Sequence, residues 1–411
     1  MREFRDPGSF DGLSPEGFSV LQRFSLNEPL LPNLKTIFLW GTDGTTIPLF
    51  PLFLSPKTTN IEIIFFVPGP SVAMTASMLT TFPTLCPNLE RIYLPDLPRG
   101  PAITAATSEF LLTTNRDVLR YFDVDSPLTE EAREVTHKLH RLRTLTVVIE
   151  EDISPPPLVL PNLTELYVEC WDEDDQWLHL FRGATLENLK SIKFFSGSDR
   201  MGSFLEAFER VALTASTQNT LSEFSLNTPC SWSPNFSSLL SFTQMKDITI
   251  DFSCMDGCSS KVDDAIVTDL ARAMPKLEKL LLGGPPCRQI PTGVTVKGLV
   301  VLAYHCPDLS TLRVHFQVAS LIAPPATIGS TPNVEPAALR RDCTLANLCV
   351  GKIPMPEQST LMVALTLARI FPRIKTIDSD DGGWRKVESA IRLSRKIVDF
   401  SSKRHPPFVI R

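Results

Sequence analysis

Cys86-Pro87-Asn88-Leu89-Glu90-Arg91-Ile92-Tyr93-Leu94 holds three apolar side chains at a spacing of three and then two. The Pro-Asn pair suits a turn, because proline fixes one backbone dihedral and asparagine tolerates turn geometry. Ile92 and Leu94 then alternate with Arg91 and Tyr93, the period of a short strand with one buried face. The same phrase returns at Leu31-Pro32-Asn33-Leu34-Lys35-Thr36-Ile37-Phe38-Leu39, at Leu160 to Val168 and at Leu186 to Phe194. It returns again at Met274 to Leu282 and at Cys306 to Val314.

Weaker copies begin at Leu21, Ile61, Leu119, Leu142, Leu221, Met245, Leu345 and Ile374. The steps from Leu34 to Ile374 average about 28 residues, inside the roughly 20–29-residue period of leucine-rich repeats. One such unit cannot bury its own apolar face, so neighbouring units must complete the core. The pattern therefore predicts an α/β fold: a leucine-rich-repeat solenoid, or horseshoe, with a parallel sheet on the concave face and helices or irregular segments on the convex face.

The return segments support this reading. Apolar residues at helical spacing predict helices over Leu128 to Leu139, Gly202 to Leu213, Val262 to Met274, Val294 to His305 and Gln358 to Phe371. The chain has 35 prolines, expected in connectors rather than in helix or strand interiors. Residues 1–20 are read as an N-terminal segment, a truncated cap. Residues 21–380 form the array, with a flexible insertion near 322–337 rich in Pro, Ala, Thr and Gly. Residues 381–411 are expected to supply a C-terminal helical cap and tail, since the last repeat of a solenoid has no neighbour.

Composition narrows the function. The net charge of -6 gives no basic field to gather nucleic acid. No run of 18 apolar residues occurs, so no spanning helix is expected. The nine cysteines are irregularly spaced and the first residues are charged, not signal-like. Reduced thiols and a cytoplasmic or nuclear location follow as the expectation.

Cys254-x-x-x-Cys258 lacks a second ligand pair for zinc. Asp378 to Gly383 resembles a calcium loop but has Ser389 where the final glutamate is needed. Asp172 to Asp175 reads as a solvated acidic loop. No phosphate-binding loop, nucleophile elbow or His-Glu-x-x-His occurs. The expectation is no enzyme, no cofactor, no metal and no catalytic residue. Cys86 and Cys306, at matching positions before proline, are expected to be small buried residues.

Binding is expected on the outward-pointing strand residues. Counting alternation from each anchor gives Phe38, Trp40, Arg91, Tyr93, Tyr121, Asp123, Glu165, Tyr167, Glu169, Trp171, Arg313 and His315 as protein-binding candidates. Lys193, Phe195, Asp247 and Asp251 fall on the same side. Tyr, Trp and Arg carry much of the energy of protein interfaces. The acids Asp123, Asp125, Glu150, Glu165 and Glu169 favour a basic partner surface.

These phrases, above all Leu160-Pro161-Asn162-Leu163, Cys86 to Leu94 and Cys306 to Val314 with their irregular spacing, resemble the repeats of the F-box and leucine-rich-repeat proteins of mushroom-forming fungi. The resemblance covers almost the whole chain. It implies a protein partner on the concave face and a substrate-recognition role in an SCF-type ubiquitin ligase. In that family a helical F-box, opening with a Leu-Pro-x-Glu-like segment, docks Skp1. No such segment lies upstream of Leu21. Skp1 is therefore expected as a partner only if an F-box precedes the residues given. The alternatives are a small-molecule sensor on the same scaffold and a stand-alone interaction protein.

Overall fold

The computed structural model describes residues 3–6, 20, 29–42, 50–65, 70–149, 158–170, 180–181, 184–196, 219–229, 236–253, 262–283, 293–322, 343–351, 353–379 and 381–404. The chain divides into two compact units, Met1–Phe195 with Val211–Thr220, and Ser196–Arg210 with Leu221–Arg411.

In the first unit the strands are β1 (Glu3–Asp6), β2 (Thr36–Thr42), β3 (Asn60–Phe65), β4 (Arg91–Leu94), β5 (Tyr121–Val124), β6 (Thr144–Ile149), β7 (Glu165–Cys170) and β8 (Ser191–Ser196). They lie side by side in chain order, and the pairings from β1 to β7 are parallel. The second unit repeats the plan with β9 (Glu223–Pro229), β10 (Asp247–Ser253), β11 (Lys279–Leu282), β12 (Thr311–Arg313), β13 (Asn347–Gly351) and β14 (Thr376–Ser379), again parallel and in order. A parallel ladder built from consecutive repeats is the leucine-rich-repeat solenoid that the sequence predicts.

Register explains why the leucine phrase is needed. Ile92 pairs with Phe122, and Leu145 with Leu166, so like positions stack across strands. Leu89, Ile92 and Leu94, and equally Leu163, Leu166 and Val168, are all but fully buried. Leu277, Leu280 and Leu282 do the same in the second unit. Removing one such leucine to alanine costs about 2–5 kcal/mol in a packed core.

Helices return over the other side. They are α1 (Phe50–Phe53), α2 (Val72–Leu85), α3 (Pro101–Thr113) and α4 (Glu130–Thr136) in the first unit. The second unit has α5 (Asp264–Ala273), α6 (Val296–His305), α7 (Val318–Ile322), α8 (Thr360–Ile370) and α9 (Gly382–Arg404). A common device joins helix to strand. Cys86, Met274, Cys306 and Phe371 cap α2, α5, α6 and α8, each donating its N–H to the carbonyl four residues back. A proline follows each one and forbids another helical turn. Cys86 and Cys306 are buried there, and burial pushes their thiols up to about 11 and about 12.

Several expectations change. Within the N-terminal segment, Glu3–Asp6 form β1, which pairs with β2. The weak repeat read from Ile61 is out of step: Ile61 pairs with Ile37, which puts Thr58 at the anchor. Thr58 is fully buried, and its hydroxyl donates to the Leu34 carbonyl at 3.1 Å, so a polar residue takes the leucine's place. Pro83 lies within α2, two residues from its end, contrary to the rule applied to prolines. The helices α2 and α3 were not foreseen. The helix read over Gly202 to Leu213, the insertion near 322–337 beyond Ile322, the copy at Leu21 and the Cys254/Cys258 pair lie outside the described residues.

At the far end α9 packs on α8 and β14. Trp384 is fully buried, donates from Nε1 to the Ile353 carbonyl at 2.8 Å and meets Phe316 edge-on at 5.9 Å. Asp381 is a structural turn residue: Oδ1 accepts from the Gly383 amide at 2.6 Å and Oδ2 from the Met355 amide at 3.2 Å.

Candidate functional site

Alternation along the strands of the first unit turns one set of side chains inward and leaves the other on an open face. Burial alternates along β3, β4, β5 and β7. Strand β6 departs from this, because all six of its residues are buried. Thr144, Thr146 and Val148 are outward by position, yet neighbouring side chains cover them. A cleft of about 940 Å³ lies over β3 to β8.

The floor is built from cross-strand pairs. The Arg91 guanidinium lies 4.1 Å from the centre of the Tyr121 ring, and Tyr93 meets Tyr121 edge-on at 6.5 Å. Register puts Arg91 beside Tyr121 and Tyr93 beside Asp123, so these contacts follow from the ladder. Tyr121 donates its hydroxyl to Asp123 Oδ2 at 3.2 Å, and Thr146 donates to Asp123 Oδ1 at 2.7 Å. Lys193 donates to the Tyr167 hydroxyl and stands 4.6 Å from the centre of that ring. A cation near an aromatic face is attracted by the ring quadrupole, so both tyrosines are oriented before any partner arrives.

The loop after β4 forms one wall. Asp96 there has a positive φ of 58°, a conformation that Asp adopts more readily than most residues. The loop carries Arg99 towards β7, where its guanidinium meets Glu169 at 3.1 Å and Asp125 at 3.9 Å. Arg91 similarly reaches Glu62 at 3.6 Å.

Charge in the cleft is unbalanced. Glu62, Asp96, Asp123, Asp125 and Glu169 line it against Arg91 and Arg99. Burial raises the Asp123 carboxyl above its ordinary range, while the bonds from Thr146 and Tyr121 pull it partly back. Burial, and then the nearby Asp123 charge, raise the phenols of Tyr93 and Tyr121. A negative, aromatic-lined cleft suits cationic groups. Among the described residues no group of three His, Cys, Asp or Glu side chains could hold a metal ion, and no helix is long and apolar enough to cross a membrane.

The structure brings together Arg91, Tyr93, Tyr121, Asp123, Tyr167 and Glu169 of the candidates read from the sequence. Phe195 also lines the cleft. Phe38 is half-buried and Trp40 is 56% exposed, both on β2 and outside the cleft. Glu165 is exposed on β7 and accepts from Thr144 at 3.4 Å. Arg313 belongs to the second unit, where it pairs with Asp251 at 2.6 Å and donates to the Gly283 carbonyl at 3.2 Å. Asp247 is likewise paired with Lys279, at 2.9 Å. His315 is a correction: β12 ends at Arg313, and His315 beyond it is only 9% exposed, so it does not share the open face. Trp171 and Asp172 to Asp175 lie outside the described residues. Sequence reasoning missed Glu62, Asp96, Arg99 and Thr146 as lining residues. For Asp96 and Arg99 a signal existed, since Pro95-Asp96-Leu97-Pro98-Arg99-Gly100 is rich in turn formers.

No family model matches the chain, and no curated protein matches it. Among solved structures the chain is similar to an internalin from Listeria monocytogenes, at 11% identity, with 92% of this chain and 98% of that chain covered and a TM-score of 0.44. At that identity and score nothing about binding or activity is carried across.

Proposed function

We propose that this chain is a non-catalytic, protein-binding leucine-rich-repeat array, and that the cleft over β3 to β8 receives a basic segment of its partner. One observation carries the reading: five carboxylates face two guanidinium groups around pre-oriented tyrosine rings on a surface assembled from successive repeats. Repeat arrays use such composite faces to hold other proteins, and buried aromatic anchors supply most of the energy. The resemblance to fungal F-box proteins extends the reading to substrate recognition for an SCF-type ubiquitin ligase in the cytoplasm or nucleus. There Skp1 would join through an F-box preceding the residues given. A stand-alone interaction protein is the reading without that F-box.

A small-molecule sensor is the second reading. The cleft volume falls at the upper end of the roughly 300–1,000 Å³ typical of ligand pockets. Such pockets are mainly apolar with a few polar groups, whereas this one carries seven charged side chains, so the protein partner is preferred.

Capture from a native extract tests the reading. The wild-type chain and a Tyr93→Ala/Glu169→Lys variant of unchanged circular dichroism are compared for recovered proteins. The variant should lose its partner about tenfold or more, since losing an interface anchor costs about 2 kcal/mol or more. Equal recovery by both proteins would remove the cleft from the function. Skp1 in the wild-type eluate would favour the ligase reading.

A further inference from the structure

A second polar groove of about 610 Å³ lies in the same unit, where β5 to β8 begin. Its chemistry is the reverse of the cleft's. Arg120, Arg141, Arg143 and Lys190 line it with His140, and no carboxylate is among the lining residues. Register creates this. Arg120, Arg143, Thr164 and Lys190 each follow an anchor leucine, at Leu119, Leu142, Leu163 and Leu189. They therefore stand in a row across adjacent strands, at steps of about 4.8 Å.

The floor of the groove is fixed. Asn162 donates from Nδ2 to the His140 carbonyl at 2.6 Å, and Asn188 to the Pro161 carbonyl at 2.7 Å. Thr164 donates to the Arg143 carbonyl at 3.0 Å. The backbone beneath the basic side chains is thus tied from repeat to repeat. Arg120 has Glu90 at 3.6 Å, while Arg141 and Arg143 have no ion-pair partner among the described residues. Like charges side by side repel, and no carboxylate lines the groove to offset those of Arg141 and Arg143. An anionic occupant would.

We propose that this groove docks an acidic peptide segment, running across the strands so that its carboxylates meet Arg120, Arg143 and Lys190 in turn. Nucleic acid is the less suitable polyanion. The row is only four strands wide, and the chain as a whole carries a net charge of -6, which repels a long anionic polymer beyond the groove. The site is independent of the cleft and of the reading given to it.

The test uses the full chain and a fluorescein-labelled peptide of eight glutamates, followed by anisotropy at 50 mM salt. Binding is expected, weakening several-fold at 300 mM salt because exposed charges are screened. Arg141→Glu/Arg143→Glu should weaken it at least tenfold, and Lys190→Glu, a single exposed change, should act in the same direction. Tyr93→Ala/Glu169→Lys should bind the peptide as the wild type does, which separates this site from the cleft. Absence of peptide binding by the wild type, equal binding by the basic-groove variants, or tighter binding of a single-stranded oligonucleotide would each overturn the proposal.

Discussion

Asp264 ties two consecutive repeats of the second unit together, and its neighbour Gly298 makes that tie measurable. The Asp264 carboxylate accepts from the Thr295 amide at 2.7 Å, the Thr295 hydroxyl at 2.6 Å and the Gly298 amide at 3.1 Å. These amides belong to the start of α6, where backbone N–H groups have no partner within the helix. A Cβ placed on Gly298 would stand 2.6 Å from Asp264 Oδ1 and 3.3 Å from Val294 Cγ1. Asp264→Ala should cost about 2–4 kcal/mol, because it strands charge-assisted bonds worth about 1.5–3 kcal/mol each that do not simply add. Gly298→Ala should cost about 1–2 kcal/mol: the methyl displaces the carboxylate, and the loss exceeds the gain of about 1 kcal/mol from helix propensity. In the Asp264→Ala background the same methyl no longer meets Oδ1, so Gly298→Ala should become neutral or stabilise by up to about 1 kcal/mol. Urea unfolding of the four proteins, with hydrogen exchange of the α6 amides, reads the cycle. The coupling should be about 1–3 kcal/mol. Additivity within about 0.5 kcal/mol would show that the carboxylate does not support the start of α6, and the reasoning would fail.

Two further outcomes follow from the burial of titrating groups. Asp123 has a carboxyl raised above its ordinary value of 3.8 by burial, so the unfolded chain releases this proton first as pH rises. The stability this group contributes is present in acid and is lost as pH climbs through the folded value. Asp123→Asn lacks that titration and should gain on the wild type between pH 3.5 and pH 7 in urea titrations; a gap moving the other way would contradict the burial argument. Cys86 and Cys306, held at about 11 and about 12, should react with iodoacetamide at pH 8 more than about a hundredfold slower in the native chain than in urea. Peptide mass spectrometry reads each site, and equal rates would show that the helix-capping positions are open to solvent.

The ladder was legible in the sequence because its inward positions repeat the same residue types. Leu89, Ile92 and Leu94 say the same thing as Leu277, Leu280 and Leu282. The reading slipped where a different chemistry fills the slot. Thr58 satisfies its hydroxyl on the Leu34 carbonyl and so serves as an anchor without being a leucine. Helices α2 and α3 escaped notice because their sequences, rich in Ala and Thr, show little contrast between faces, and Pro83 argued against a helix. Pro83 is tolerated because it costs only one bond near the end of α2. β1 carries no leucine phrase and gave no signal. In the cleft, strand residues such as Tyr93 and Asp123 follow from alternation alone. Arg99 does not, because its position depends on the path of a loop. His315 was misplaced because alternation was continued past the last residue of β12.

Within each unit, every strand after the first hydrogen-bonds the strand formed by the preceding repeat, 20 to 40 residues earlier, as Asn60 does with Thr36 and Thr144 with Tyr121. No pairing in either ladder waits for a distant part of the polypeptide. During synthesis at about 5–20 residues per second, each newly emerged segment therefore finds its template already in place within seconds. Assembly of this kind proceeds from the first repeat onward and keeps exposed strand edges short-lived, which protects a nascent chain from sticking to its neighbours.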